Sequence, residues 1–458
     1  MSHTAANPAC VPSSEARSLS VHPEARVASA EELAPISLSA RLLFENGQST
    51  EKVVSALDQL AAAMGFRAIV FPRWGELTVL ITDGSGSRNG ILAAAPAGVD
   101  MRKVAATIGV IDDVCDGRLD AAAARSALET IARFPPVSIT RFALLAAAGA
   151  AALGVIFGAT HPFSLLLIAI SAGAGACLRR WLATISRNLF VQPLCAALLA
   201  GAIGAIAARL QLSSALRLVA VCPCMILVPG PHLLNGTIDL ARARIALGAS
   251  RIAYAGVIIL MICTGLLTGL SLGSVSLPAS APSYPVPLGY DVIAAGIAVA
   301  AYGTFFAMPW RMLPIPAMIG MLAHASRWAT ISLEGASVQT GALVACLIVG
   351  IVITPIADRL RLPFAAFAFA SVVSLIPGVY LFRMAAGLAD LVTLGQKASA
   401  DVLLNTIADG ATAALIILAM AIGLILPKMC IEYFHPGLAV ETHGKPRCSK
   451  IDERKALR

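Results

Sequence analysis

The stretches Met225-Ile226-Leu227-Val228-Pro229-Gly230 and Val373-Ser374-Leu375-Ile376-Pro377-Gly378 place the same Pro-Gly interruption inside two long hydrophobic segments. Proline removes a backbone donor and glycine permits dihedral angles that other residues avoid, so backbone groups are freed from the helix at such a point. In a bilayer, freed backbone groups have to face protein or a water-filled cavity rather than lipid. The two stretches therefore predict a pair of broken membrane helices that line a cavity.

The composition of the whole chain indicates a membrane protein. Of its 458 residues, 58% are hydrophobic and only 13% are charged, against about 25% charged in a soluble domain. This excludes a soluble enzyme, a disordered chain and a disulfide-stapled scaffold. The net charge of +8 comes from the hydrophobic part of the chain, where Lys and Arg in loops set membrane orientation, and no nucleic-acid motif accompanies it.

Ten hydrophobic segments follow one another from Phe142 onward, and most approach the ~20 residues that a membrane-spanning helix needs. Their approximate ranges are 142–158, 162–178, 189–208, 218–234, 252–273, 290–308, 312–325, 337–356, 363–387 and 404–427. The seventh contains Pro314 and Pro316 and is predicted to be distorted or re-entrant, which makes nine spans the alternative count.

Each Pro-Gly pair falls in the fourth span of a five-span half, 142–273 or 290–427. Because five is odd, the second half enters the bilayer from the opposite face, so we predict two five-helix inverted repeats. Two chance proline kinks are the alternative. Lys and Arg are more frequent in the loops of one side, which predicts cytoplasmic N- and C-termini.

The polar parts of the chain predict two tails and one small α/β domain. Residues 1–36 are expected to be a flexible N-terminal tail, 37–134 the cytoplasmic α/β domain, and 428–458 a polar cytoplasmic C-terminal tail. No basic-then-apolar signal peptide precedes the domain. Its predicted elements are helices over Ser37–Asn46, Thr50–Gly65, Asp100–Cys115 and Leu119–Phe134, with strands Phe66–Phe71 and Leu77–Thr82 in a hairpin.

Three sets of residues resemble the threonine/serine exporter family, and together they cover about residues 37–427. The resemblance is carried by Leu227-Val228-Pro229-Gly230 with Asn235, Asp239, Gly248 and Arg251, by the stretch Gly47–Val53 with Leu60-Ala61 and Gly65, and by Leu375-Ile376-Pro377-Gly378 with Tyr380. The chain departs from the family in having Glu51-Lys52-Val53 where Arg-Val-Glu is frequent, and in Pro231-His232 after the first motif.

The resemblance implies a secondary transporter that exports threonine and serine across the bacterial inner membrane, driven by the proton gradient. Two-subunit relatives imply export of small dicarboxylates such as succinate as the alternative. The expected partners are then the lipid bilayer, a small-molecule substrate and protons, with a homo-oligomer allowed and no nucleic acid.

Ionisable groups inside spans are costly and are therefore candidates for function. Asp239 follows the first break on the same helical face as Asn235, and is predicted to couple protons or bind a substrate ammonium group; a surface carboxylate is the alternative. Arg383 follows Gly378 as Asn235 follows Gly230, and is predicted to hold a substrate carboxylate, with snorkelling to the interface as the alternative.

The predicted substrate and coupling-ion site thus comprises Pro229, Gly230, Asn235, Asp239, Pro377, Gly378, Tyr380 and Arg383. Tyr380 would hydrogen-bond the substrate or belong to the aromatic belt. Asp291 and Asp409 lie near span ends and are expected at the interface. His232 and His324 could relay protons near neutral pH, but lone histidines are more often packing or interfacial residues.

An enzyme is the rival class. Gly269-Leu270-Ser271-Leu272-Gly273 matches the G-x-S-x-G nucleophile pattern, but it lies inside a predicted span, so we interpret Gly265, Gly269 and Gly273 as a helix-packing stripe. The alternative is a membrane-anchored enzyme or sensor that acts through residues 37–134. These residues contain neither a histidine nor a recognisable set of catalytic residues. The ten cysteines have no metal-ligand spacing and no ATPase motif occurs, so no metal, cofactor or catalytic residue is predicted.

Overall fold

The computed structural model describes residues 30–83, 86–159, 161–211, 216–275, 286–359 and 364–434. The first part of the chain contains α1 (Ala30–Glu45), α2 (Thr50–Ala63), β1 (Arg67–Arg73), β2 (Gly75–Asp83), β3 (Gly86–Ala94), α3 (Met101–Cys115) and α4 (Ala121–Ala132). Five hydrophobic helices follow, α5 (Ile139–Ile156), α6 (Pro162–Ile185), α7 (Val191–Arg209), α8 (Leu216–Met225) and α9 (Gly230–Ala241), and then α10 (Ile245–Ser271).

The remaining helices are α11 (Leu288–Phe305), α12 (Pro314–Ser332), α13 (Val338–Arg359), α14 (Phe364–Val372), α15 (Gly378–Leu394) and α16 (Ala400–Phe434). Residues 1–29, 276–285 and 435–458, with the short gaps inside the chain, lie outside the described residues. They include most of both predicted tails.

The N-terminal part, residues 30–134, contains four helices and an antiparallel sheet of order β1-β2-β3. Helices α1 and α2 contact the sheet, α3 packs on α1 and α2, and α4 packs on α1. Helix α2 forms where predicted, because Val53, Leu57 and Leu60 recur at helical spacing and are buried on one face. Asp100 and Asp120 cap α3 and α4 by accepting hydrogen bonds from the backbone of the first turn.

Two differences from the predicted N-terminal part have local causes. Helix α1 begins at Ala30 and contains Pro35, so the prediction of a flexible tail through residue 36 is wrong for residues 30–36. Strand β3 was not predicted, because its first residues, Gly86-Ser87-Arg88-Asn89, are exposed and polar and show no alternation of hydrophobic side chains. It forms by pairing with β2, where Leu77 lies opposite Leu92.

Among the described residues, eight helices are long and apolar enough to cross a membrane, or nine if the bent pair α8 and α9 is one span. This count is lower than the ten predicted spans, and its upper value equals the alternative of nine. The seventh predicted span is α12, which is not among the eight helices. It carries the polar residues His324 and Arg327. Pro314 and Pro316 lie in its first turn, so α12 is a continuous helix rather than a distorted one.

The last two predicted spans also differ. The ninth is divided into α14, a 3-10 turn over Val373–Leu375, and α15, with Pro377 between the turn and α15. Helix α16 continues to Phe434, so the predicted C-terminal tail is helical over residues 428–434.

The glycine stripe of α10 faces α7. A Cβ on Gly265 would overlap the carbonyl oxygen of Leu194, and one on Gly273 would lie 2.5 Å from the Cβ of Ala205. A Cβ on Gly269 would lie 2.7 Å from the backbone nitrogen of Ala202. The backbones of α7 and α10 therefore approach too closely for any side chain at these positions.

We expect Gly269→Ala to lower the free energy of unfolding by about 1–3 kcal/mol, because the added methyl has no space. Gly256→Ala in the same helix is the matched control, since nothing lies within 4 Å of a Cβ there, and alanine is the better helix former. Thermal unfolding of the purified variants checks this. Equal midpoints for the two variants would contradict close packing of α7 on α10.

Candidate functional site

The two Pro-Gly breaks have the same local geometry. Pro229 has φ −83° and ψ 63°, and Pro377 has φ −76° and ψ 42°. The amide of Gly230 donates to the carbonyl of Val228 over 2.9 Å, and that of Gly378 donates to Ile376 over 2.8 Å. Each proline is thus the centre of a three-residue turn close to an inverse γ-turn, and a new helix begins at the glycine that follows.

The structure brings the two breaks together. A Cβ on Gly230 would overlap the ring of Phe369, which belongs to α14, and a Cβ on Gly378 would lie 2.9 Å from Cγ of Met225 in α8. Both glycines are buried. Each break therefore packs against the helix that precedes the other break, and only a residue without a side chain permits this approach.

Met225 also makes a hydrogen bond to the second half at this crossing. Its carbonyl, at the end of α8, accepts a hydrogen bond from the amide of Val228 over 3.3 Å and a shorter one from the hydroxyl of Tyr302 over 2.8 Å. Tyr302 belongs to α11 and is 2% exposed. A side chain of the second half thus satisfies a backbone group freed by the break in the first half.

Asp239 lies beneath the N-terminal part of the chain rather than on a surface or in an open cavity. Its carboxylate is buried, accepts a hydrogen bond from the hydroxyl of Thr50 over 3.1 Å, and lies 3.3 Å from Nε of Arg251 and 3.5 Å from Arg244. Arg251 is 1% exposed, and its guanidinium lies 5.6 Å from the ring of Phe44 in α1.

Asn235 makes a parallel contact one helical turn earlier. Its Nδ2 donates to the carbonyl of Gly47 over 3.2 Å. Gly47 has φ +91°, a conformation that favours glycine, and opens the turn that leads into α2. The ring of His232 packs edge-on against Tyr254, which also contacts Trp74 of the β1–β2 turn. Gly47 and Thr50 therefore contact the first helix after the break, and Phe44 and Trp74 contact α10 beside it.

Glu51 extends this contact to the second half. Its carboxylate pairs with Arg242 at 2.9 Å and with Lys428 of α16 at 3.2 Å. Burial raises the pKa of the Glu51 carboxyl, but Lys428 and Arg242 lower it by more, and the pKa ends below its ordinary value of 4.5. One carboxylate of the N-terminal part thus links both membrane halves.

The second half holds a hydrogen-bonded chain that the sequence did not predict. Nδ1 of His324 lies 2.9 Å from Oδ2 of Asp291, and Nε2 lies 2.6 Å from Oγ of Ser374. Asp291 is 3% exposed and His324 is fully buried. The burial of His324 agrees with the packing role expected for it, and the interfacial position of Asp291 stays a prediction. The only signal in the sequence was that two ionisable residues fall inside predicted spans.

Arg383 is already paired. Its Nε lies 3.0 Å from Oδ2 of Asp409, and the ring of Tyr380 lies 6.0 Å from its guanidinium. Asp409 is 7% exposed, and the pair satisfies its charge inside the protein. The structure brings Arg383 and Tyr380 together, but does not bring either of them to Asn235 or Asp239.

A narrow cavity adjoins the end of α8. It is lined mainly by small residues of α5, α6 and α7, by Phe305 of α11, and by Pro223, Ile226 and Leu227. Ser171 and Arg179 of α6 also line it, and Oγ of the first and Nε of the second are buried without a hydrogen-bond partner in the described part of the chain. The guanidinium lies 5.9 Å from the ring of Phe142 and 5.8 Å from that of Phe305. In this conformation there is room for about one water molecule.

In the described ranges, no group of three or more His, Cys, Asp or Glu side chains is arranged to hold a metal ion. The features together are those of a polytopic α-helical membrane protein with two crossed, broken helices and several buried charges.

Comparison with known families agrees with the resemblance noted in the sequence. The threonine/serine exporter model, ThrE, matches residues 36–273. A second model, ThrE_2, described as Threonine/Serine exporter, ThrE, matches residues 291–430. The chain therefore belongs to the threonine/serine exporter family, which is a family of membrane transporters. No solved structure matches the chain.

We expect Glu51→Gln to weaken the contact between the N-terminal part and the membrane helices by about 1–3 kcal/mol, because a charged hydrogen-bond acceptor is lost. Cleavage at Arg133 by trypsin should then rise about fivefold or more, since proteolysis follows the population of the open form. Glu45→Gln is the control: its pair with Arg41 is a surface i,i+4 pair, worth about 0.3–0.5 kcal/mol.

The same contact should depend on pH. Because the pKa of Glu51 is lowered in the folded protein, its stabilisation is complete above pH 4.5 and disappears as the pH falls through the lowered value. Cleavage of the wild type by an acid-active protease should rise below pH 4.5, and cleavage of Glu51→Gln should rise less. An equal rise in both would contradict the role of this carboxylate.

Proposed function

We propose that this chain exports threonine and serine across the bacterial inner membrane as a proton-driven secondary transporter. The observation that carries the proposal is the crossing of the two breaks, with Gly230 against Phe369 and Gly378 against Met225. Interrupted hydrophobic segments at corresponding positions of two halves are typical of a transporter's binding region. Membership of the exporter family supports the substrate class.

In this proposal the crossing is the part that moves. Pro229-Gly230 and Pro377-Gly378 separate rigid half-helices, so each half-helix can tilt without breaking hydrogen bonds inside a continuous span. A tilt at either break would change the contact made by the other, because each glycine packs against the opposite helix. The two breaks would therefore open and close together, and the halves would form an inverted repeat around them.

We assign the substrate carboxylate to Arg179 rather than to Arg383, whose charge Asp409 already matches. Side chains on a helix point towards its N-terminus, so Arg179 reaches back over Gly175 towards Ser171. Nε of Arg179 and Oγ of Ser171, which lack hydrogen-bond partners among the described residues, match the carboxylate and hydroxyl of threonine or serine. The cavity is narrow here, and the proposal requires that it widen when α8 moves at its break.

Asn235 and Asp239 are assigned to a gate. Both hold the turn of residues 47–50 against α9, and Glu51 links that turn to both halves. With cytoplasmic termini, this contact covers the cytoplasmic end of the first broken helix. Release of the N-terminal part would then be needed for substrate to enter from the cytosol.

The proposal is tested with purified protein in liposomes that contain threonine, serine or succinate, under an imposed pH gradient. We expect gradient-driven flux of threonine and serine and its loss in Gly230→Leu and Gly378→Leu, because the new side chains overlap Phe369 and Met225. Gly256→Leu, which faces open space, is the control for insertion. Flux of succinate alone would identify a dicarboxylate, rather than threonine and serine, as the substrate. Absence of flux for all three compounds would overturn the proposal.

Arg179→Gln should raise the KM for threonine about 10–100-fold with a smaller change in kcat, because a charge-assisted contact to a carboxylate is worth about 1.5–3 kcal/mol. Arg180→Gln is the matched control, since the neighbouring guanidinium already donates to the carbonyl of Val137. A larger effect at Arg180 than at Arg179 would contradict the assignment.

A further inference from the structure

The chain of Asp291, His324 and Ser374 joins three separate elements. Asp291 is in the first turn of α11, His324 is in the middle of α12, and Ser374 lies in the 3-10 turn that precedes the second break. The exposed fractions of the three residues are 3%, 0% and 3%. Their two hydrogen bonds, 2.9 and 2.6 Å long, therefore form inside the protein, away from solvent.

The chemistry of the imidazole makes this hydrogen-bonded network of three side chains sensitive to one proton. With Asp291 ionised, neutral His324 donates from Nδ1 to the carboxylate and accepts at Nε2 from the hydroxyl of Ser374. When a proton binds Nε2, both ring nitrogens become donors. Ser374 must then accept instead of donate, and its own hydroxyl proton must turn to another acceptor. One bound proton reverses the direction of the bond that holds the turn.

Few other charged groups face Asp291, His324 and Ser374. Arg327, one turn further along α12, interacts electrostatically with Asp291 and with Tyr380 of α15. Helix α14 contains no charged residue, and α13 has charges only at its C-terminal end, Asp358-Arg359. Arg383 of α15 is paired with Asp409. The buried carboxylate of Asp291 is thus the acid that faces His324, with Arg327 as the nearest cation to balance it.

The 3-10 turn that contains Ser374 leads into the second break. It lies directly before Ile376-Pro377-Gly378, and Gly378 packs against Met225 at the crossing. A second bond from α12, between the hydroxyl of Ser371 and the carbonyl of Pro316 at 3.1 Å, holds α14 but involves no titratable group. Helix α12 therefore holds the segment before the break at two points, one of which responds to protonation and one of which does not.

We propose that Asp291, His324 and Ser374 form the proton-binding site of this protein, and that protonation of His324 loosens the 3-10 turn and frees the second break to move. The inference rests on the proposed proton-driven transport and names the residues that couple it. His324 and Asp291 bind and hold the proton. Ser374 is a positioning residue that transmits the change to Pro377-Gly378 and, through Met225, to the first break.

Transport measurements with His324→Gln and Asp291→Asn separate coupling from binding. We expect gradient-driven accumulation of threonine to fall at least tenfold in both variants, whereas exchange of internal for external threonine, which needs no net proton movement, persists. Ser371→Ala is the matched control and should retain gradient-driven accumulation. Retention of gradient-driven accumulation in both His324→Gln and Asp291→Asn would overturn the inference, while the proposed function would stand.

A second measurement does not depend on transport. Hydrogen exchange of the amides of residues 373–381, corrected for the intrinsic effect of pH, should increase in the wild type as the pH is lowered. We expect this increase to be absent in His324→Gln and Ser374→Ala and present in Ser371→Ala. Exchange that does not depend on pH in the wild type, or that keeps its dependence in Ser374→Ala, would overturn the inference even if no transport were observed.

Discussion

The contact between the two broken helices is the constraint on which the rest of the structure depends. Gly230 lies against Phe369 and Gly378 against Met225, so neither break can change without the other. In a bilayer the freed backbone groups need partners within the protein, and the three-residue turns at Pro229 and Pro377 and the hydroxyl of Tyr302 supply them. Asp239 and Arg383 lie on the two helices that begin at these breaks.

The N-terminal part and the buried histidine act on opposite sides of the same contact. Thr50 and Gly47 bind α9, the helix that follows the first break. His324 binds Ser374, which precedes the second. The first interaction depends on docking of residues outside the spans, and the second on a proton within them. In the proposed mechanism, the first interaction would control opening at the first break and the second would bind the driving proton at the second break.

Several buried carboxylates in the described part of the chain are each paired with a nearby cation. Asp239 is paired with Arg251, Asp409 with Arg383, and Glu51 with Lys428. Such pairing offsets the cost of removing a charge from water. Arg179 has two aromatic rings but no carboxylate among the described residues around it. An anionic ligand would complete the pattern that the other charges follow.

Composition, hydrophobic length and the repeated Pro-Gly pair were sufficient to predict a polytopic membrane protein, its two breaks and most helix positions, because these depend on local periodicity and on the solvent. The contacts of Asp239 with Thr50, and of His324 with Asp291 and Ser374, join residues distant in the sequence, and only tertiary packing decides them. A single charged residue within a span predicts that it needs a partner. Which residue becomes that partner depends on how the helices cross.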